Sequence, residues 1–262
     1  MSDTIHTEPV LLRSDDGRGV TTLTLNRPLA FNALNEALLT ALQTELDQLA
    51  TEPALRVLVI AAKGRAFCAG HDLKEMRAEP ALGYYQQLFA QCGRMMMSLQ
   101  RLPVPVIAKV QGMATAAGCQ LVAQCDLAVA ASDARFAVSG VNLGLFCATP
   151  SVALSRNLSR KAAFEMLVTG DFLNAQEALS KGLINKVAEP DELDAVLEAL
   201  VVKILAKPPV ALAMGKELFY MQLETGIEKA YEYAVQTMAC NMMDNSALEG
   251  VQAFIEKRKP HW

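Results

Sequence analysis

Gly64-Arg65-Ala66-Phe67-Cys68-Ala69-Gly70-His71-Asp72-Leu73 has a counterpart further along the chain in Gly112-Met113-Ala114-Thr115-Ala116-Ala117-Gly118-Cys119-Gln120. Each follows an apolar, β-branched run, Val57-Leu58-Val59-Ile60 and Val104-Pro105-Val106-Ile107. Each leads into a helical pattern, Leu73-Lys74-Glu75-Met76 and Leu121-Val122-Ala123-Gln124. The pattern predicts two strand–turn–helix junctions almost bare of side chains. The first N–H groups of a helix have no intrahelical acceptor, so such junctions can receive an anion or a developing oxyanion. The two turns are expected to face each other across one pocket.

Outward from these junctions, residues 10–13 and 20–25 read as two strands separated by Asp15-Asp16-Gly17-Arg18-Gly19. Leu38, Leu39, Leu42, Leu46 and Leu49 recur at helical spacing behind a capping Asn35. Asp72 with Glu75 fits a capping box, and residues 84–99 form a longer helix. Strands are expected at 56–62, 104–110, 126–131 and 135–138, with a buried helix from Gly118 to Cys125. The remainder reads as helices over 152–158, 160–168, 175–181, 189–205, 211–223 and 227–243. Pro208-Pro209 breaks the pattern and divides an α/β core, residues 1–205, from a C-terminal helical segment, residues 206–262.

The 262 residues are 52% hydrophobic and 20% charged, which predicts a compact protein with a large buried or subunit-covered surface. A net charge of −4 gives no electrostatic footprint for nucleic acid or an anionic membrane. The six cysteines include no C-x-x-C pair and the histidines number three, so no metal site is expected. Residues 1–8 are polar and lack a leader pattern, and no apolar run reaches membrane length. Reduced thiols and a cytoplasmic location are the corresponding expectations.

In order along the chain come Leu25-Asn26-Arg27-Pro28, Asn32-Ala33-Leu34, Ala66-Phe67-Cys68-Ala69-Gly70-His71-Asp72-Leu73 and Gly118-Cys119-Gln120-Leu121 with Cys125-Asp126. Phe164-Glu165-Met166-Leu167-Val168-Thr169-Gly170 and Phe254-Ile255-Glu256-Lys257-Arg258-Lys259-Pro260 follow. Over essentially its whole length the chain resembles the crotonase superfamily, the enoyl-CoA hydratase/isomerase family. The resemblance implies an α/β spiral of ββα units, a C-terminal helical trimerisation region, and homotrimers or dimers of trimers. It also implies an acyl-CoA ligand and no other cofactor, with the thioester oxygen held by the backbone N–H groups of His71 and Ala117. Backbone donors are indifferent to the side chain, so a histidine fits there.

The acid/base positions depart from the hydratase pattern. Gln120 and Gly140 stand where hydratases carry two glutamates, and neither titrates. Gln120 can orient a water but cannot remove a proton at pH 7. General acid–base catalysis contributes roughly 10²–10⁴ per group, so hydration is expected to be severely reduced. His71 serves either as a base or only through its N–H, and Cys147 belongs to the stretch that should roof the acyl pocket.

By position, Pro28, Ala30, Ala69, Gly70, His71, Asp72, Leu73 and Gly118 should contact acyl-CoA, with Lys216, Phe254 and Lys257 as candidates for its nucleotide end. Two further readings stay open. One is a catalytically degenerate acyl-CoA-binding or assembly subunit. The other is a malonyl-type acyl-CoA decarboxylase, whose enolate forms by loss of CO₂ without a strong base.

Overall fold

The computed structural model describes residues 8–262; residues 1–7, on which the leader reading mainly rests, lie outside them. β1 (Leu11–Asp15) and β2 (Val20–Leu25) pair antiparallel. The turn between them closes because the Asp16 carboxylate accepts from the N–H groups of Arg18 (2.8 Å) and Val20 (3.2 Å). From β2 the sheet continues by parallel pairing through β3 (Val57–Ala62), β5 (Val106–Val110), β7 (Leu127–Ala131) and β10 (Lys186–Ala188).

A second sheet runs in the order β4 (Ala66–Cys68), β6 (Met113–Thr115), β8 (Arg135–Ala137) and β9 (Leu173–Asn174), the last antiparallel. The two small-residue stretches are therefore more than turns. Each contains a three-residue strand, so each unit reads long strand, short strand, helix, which is the ββα arrangement of the crotonase fold. Runs as short as Ala66–Cys68 fall below what alternation can resolve in sequence.

β3 is a continuous apolar run because both of its faces are covered. Leu58 and Ile60 pack into a cluster with the buried leucines of α1 (Glu36–Leu49) and with Met95 and Leu99 of α3 (Leu82–Arg101). Val57 and Val59 face Leu193 and Val201 of α8 (Leu193–Leu205). Each fully buried leucine of α1 contributes about 1.5–3 kcal/mol.

Asn35 caps α1, as expected, accepting from Leu38 N–H at 3.0 Å. Asp72 caps α2 (Leu73–Ala78), accepting from Lys74 and Glu75 N–H. The reciprocal half of the predicted capping box is absent. Glu75 accepts instead from Glu36 N–H (3.0 Å) at the start of α1, while Asp72 N–H bonds to the Leu34 carbonyl (3.1 Å). One carboxylate thus ties the N-termini of two helices together.

The chain then passes through α4 (Ala117–Gln124), α5 (Ala148–Asn157), α6 (Arg160–Thr169) and α7 (Ala175–Ser180) before α8. The C-terminal segment is α9 (Pro209–Leu223), α10 (Ile227–Met242) and α11 (Asn245–Ile255), the last not anticipated from sequence. No described helix is long and apolar enough to cross a membrane.

Lys216 of α9 corrects an expectation. Its Nζ donates to Asp126 (2.7 Å) and to the carbonyls of Leu99 and Val104 (2.9 Å each), and it is buried. All three donors are taken inside the protein, so none is free for a phosphate. Asp126 also accepts from Tyr220 OH (2.6 Å) and Val106 N–H (2.6 Å). Burial holds the Lys216 ammonium below its ordinary pKa, partly offset by Asp126. Lys216→Met should cost about 3–5 kcal/mol by leaving a poorly compensated buried carboxylate. Urea unfolding at pH 7 measures this, and an unchanged midpoint would refute the anchoring role.

Candidate functional site

The site is assembled by the ends of β4 and β6. Leu34 forms a parallel bridge with His71 through Leu34 N–H to the Gly70 carbonyl (2.8 Å) and Asp72 N–H to the Leu34 carbonyl. In that pattern Gly70 O and Asp72 N point toward Leu34, so the His71 N–H points the other way. Ala117 opens α4, where its N–H has no intrahelical acceptor.

The two junctions meet closely. Gly70, at φ +91°, has no room for a side chain: a Cβ would lie 2.8 Å from Ala116 Cβ and 3.2 Å from Ala117 N. A Cβ on Gly118 would overlap the Cys68 carbonyl. Thr115 Oγ1 donates to the Ala69 carbonyl at 3.0 Å. Ala116 sits at φ 48°, ψ −120°, a conformation that is costly for a residue with a Cβ. It is held there by its N–H to the Ala137 carbonyl (2.9 Å) and by its carbonyl accepting from Gln120 N–H (3.0 Å).

One cavity of about 200 Å³ adjoins both junctions. Ala69, His71, Leu73 and Ala117, all named from sequence, line it. Cys147 does too, together with Ser139 and Gly140. Leu145 and Phe146, of the stretch expected to roof the acyl pocket, complete much of the apolar wall with Phe89 and Leu143, to which sequence reasoning assigned no site role.

A larger, shallower hollow between Pro208 and Trp262 lies elsewhere; there Glu249 and Arg258 neutralise each other. Among the described residues no group of three or more His, Cys, Asp and Glu is arranged to hold a metal.

Among the described residues, the cavity wall carries no Asp, Glu, Lys or Arg. The His71 ring meets Phe89 edge-on, with centroids 5.3 Å apart, and neither ring nitrogen has a hydrogen-bond partner. Burial pushes its pKa down to about 4, against a weak opposing effect of the Leu34 backbone. The imidazole is neutral at pH 7 and a poor base. Burial raises the Cys147 thiol, which stays protonated and unreactive as a nucleophile. Cys68, Cys92 and Cys119 are pushed up to about 12 for the same reason.

Other expected site residues lie apart from the cavity wall. Gln120 is buried on α4 with Oε1 unpartnered. Asp72 is occupied as a cap and in an ion pair with Arg27 (2.9 Å). Pro28 and Ala30 belong to a 3-10 turn in a loop bonded to residues 69–70, through Ala69 N–H to the Phe31 carbonyl and Leu34 N–H to the Gly70 carbonyl. Asn32 of the same loop is buried and donates to the carbonyls of Lys63 and Ala66, both at 2.8 Å. Phe254, at the end of α11, is exposed, and Lys257 follows it in the tail; neither lines the cavity.

Gly140 is the informative departure. A Cβ there would lie 2.5 Å from the Leu145 carbonyl and 2.7 Å from Cys147 Sγ. The space a side chain would need is taken by the 145–147 loop. Glycine at position 140 is therefore built into the backbone path.

A family model described as enoyl-CoA hydratase/isomerase matches residues 15–262. Enoyl-CoA hydratase domain-containing protein 3, mitochondrial, of Xenopus laevis is 43% identical over 257 residues, covering 98% of this chain and 87% of the relative. Among solved structures, an enoyl-CoA hydratase of Mycobacterium smegmatis superposes with TM-score 0.96 at 65% identity, covering 97% of this chain and 99% of the other. Human enoyl-CoA hydratase domain-containing protein 3 gives TM-score 0.92 at 42% identity, covering 97% and 100%. The Xenopus relative and its mouse and human counterparts are named mitochondrial, which overturns the expectation of a cytoplasmic location.

The depressed His71 pKa has a stability consequence with a definite sign. A folded pKa of about 4 against 6.5 for a free histidine means that the unfolded chain binds the proton first as pH falls. The stability that His71 contributes as a neutral group is present above pH 6.5 and is lost progressively toward pH 4. Between pH 7 and pH 4.5 that loss should be about 2 kcal/mol. In His71→Leu the corresponding slope of unfolding free energy against pH should disappear, which denaturant titrations at the two pH values measure.

Proposed function

The chain belongs to the enoyl-CoA hydratase/isomerase family, and from that premise we propose that it binds an acyl-CoA thioester whose carbonyl oxygen is received by the N–H groups of His71 and Ala117. The observation that carries this reading is the pair of junctions meeting at Gly70, each with a peptide N–H lacking a local acceptor, beside one apolar cavity. Enolate formation next to a thioester places negative charge on that oxygen. Preorganised donors in a water-poor cavity stabilise it, and removal of one such donor typically costs about 2.7–4 kcal/mol.

The same cavity lacks a carboxylate, so hydration of an enoyl thioester is slow. The chemistry is confined to what enolate stabilisation supports with a neutral imidazole and a neutral thiol nearby. His71 acts through its backbone, and its ring packs against Phe89.

The protein works as a homotrimer or a dimer of trimers. Ile227, Tyr231, Val235, Met238 and Met242 recur at three- and four-residue spacing on α10 and are exposed in the single chain. A continuous apolar stripe of this kind favours burial against further copies.

Ala117→Pro removes one donor at the first position of α4, with circular dichroism used to check that the variant keeps its fold. Turnover of crotonyl-CoA, followed as loss of the conjugated thioester absorbance, should fall about 10²–10³-fold in this variant. His71→Ala keeps the N–H and should retain activity within a few-fold. A large loss in His71→Ala, with the fold intact by circular dichroism, would make the ring a catalytic base. Binding without turnover in the parent protein would instead favour the acyl-CoA-binding or assembly reading.

A further inference from the structure

We infer that the cavity selects an uncharged acyl chain and rejects one ending in a carboxylate, with Phe146 as a residue that sets this preference. This rests on the acyl-CoA reading above and narrows its substrate class.

The polar side chains on the wall are His71, Ser139, Cys147 and Thr149, and none is cationic at pH 7. A carboxylate placed there would exchange water for an environment without a counter-ion. The N-terminus of α5 also faces the cavity and would ordinarily attract an anion. That capacity is reduced here to the single N–H of Thr149. Ala148 N–H is already bonded to the Phe146 carbonyl at 2.8 Å, and Pro150 has no N–H to offer. The Ala117 and His71 donors are reserved for the thioester oxygen.

A hydrocarbon chain meets Leu73, Met76, Phe89 and Leu145 and gains contact along its length. The cavity of about 200 Å³ leaves room along this wall for a short acyl chain. Phe146 is half exposed at the wall, so an arginine there can keep its stem on apolar surface and bring its head to the cavity mouth.

Isothermal titration of the full-length protein with hexanoyl-CoA, adipyl-CoA and free CoA tests this, since the first two share six carbons and differ in the terminal carboxylate. Adipyl-CoA should bind about a hundredfold more weakly than hexanoyl-CoA; a difference below tenfold overturns the selectivity. Phe146→Arg should narrow the ratio at least tenfold by raising adipyl-CoA affinity, and an unchanged ratio removes Phe146 from the assignment. Failure of hexanoyl-CoA and free CoA alike to bind would overturn the acyl-CoA reading itself, together with the selectivity built on it.

Discussion

Backbone lies against backbone where α4 begins. Gly118 faces the Cys68 carbonyl with no space for a methyl group, and Gly70 faces Ala116 and Ala117 in the same way. This approach fixes the separation of the two junctions, and everything at the site follows from it. The small residues 64–73 and 112–120 are required because side chains would push β4 and α4 apart. The strain at Ala116 is part of the same arrangement, maintained by hydrogen bonds from β8 and from the first turn of α4. A site built on peptide groups is as rigid as the sheet that carries it. Its donors do not depend on side-chain rotamers, which is the form that electrostatic preorganisation requires.

Around that fixed cradle the side chains are permissive. A water-poor cavity strengthens every dipole in it and penalises every uncompensated charge. The chain meets this constraint by leaving the wall uncharged: the imidazole is neutral, the thiol is protonated, and position 140 is closed by the path of the backbone. Replacement of a glutamate by glycine could in principle leave an empty pocket for water. Here the 145–147 loop fills that space, so position 140 has no room for a side chain of any kind.

Much of this was legible in residues 64–73 and 112–120, because glycine and alanine after a β-branched run have few other uses. The leucines of α1 and the caps at Asn35 and Asp72 followed from local spacing alone. The partner of Glu75 did not: a carboxylate at the third helical position can bond its own cap or a neighbouring helix, and only tertiary packing decides. Lys216 was misread for a related reason. A lone lysine on a helix looks solvated until three acceptors from α3, the loop before β5 and the loop after α4 converge on it. The short strands β4, β6 and β10 carry too few residues to display a period. Met76 and Phe89 read as ordinary helix residues, because the distinction between core and cavity lies in what they fail to touch.

The Lys216–Asp126–Tyr220 cluster gives the division at residue 206 a particular meaning. Trp262 Nε1 bonds back to the Ala206 carbonyl, closing the tail on its own entrance, and Arg56 reaches the carbonyls of Leu205 and Lys207, so the core holds the tail where it begins. The core is left with a carboxylate at the junction of α4 and β7 that only α9 neutralises. The helical tail and the sheets are therefore coupled through this cluster. Any assembly formed through the tail would also be felt at β5 and β7, because the charge that holds α9 in place is rooted between those strands.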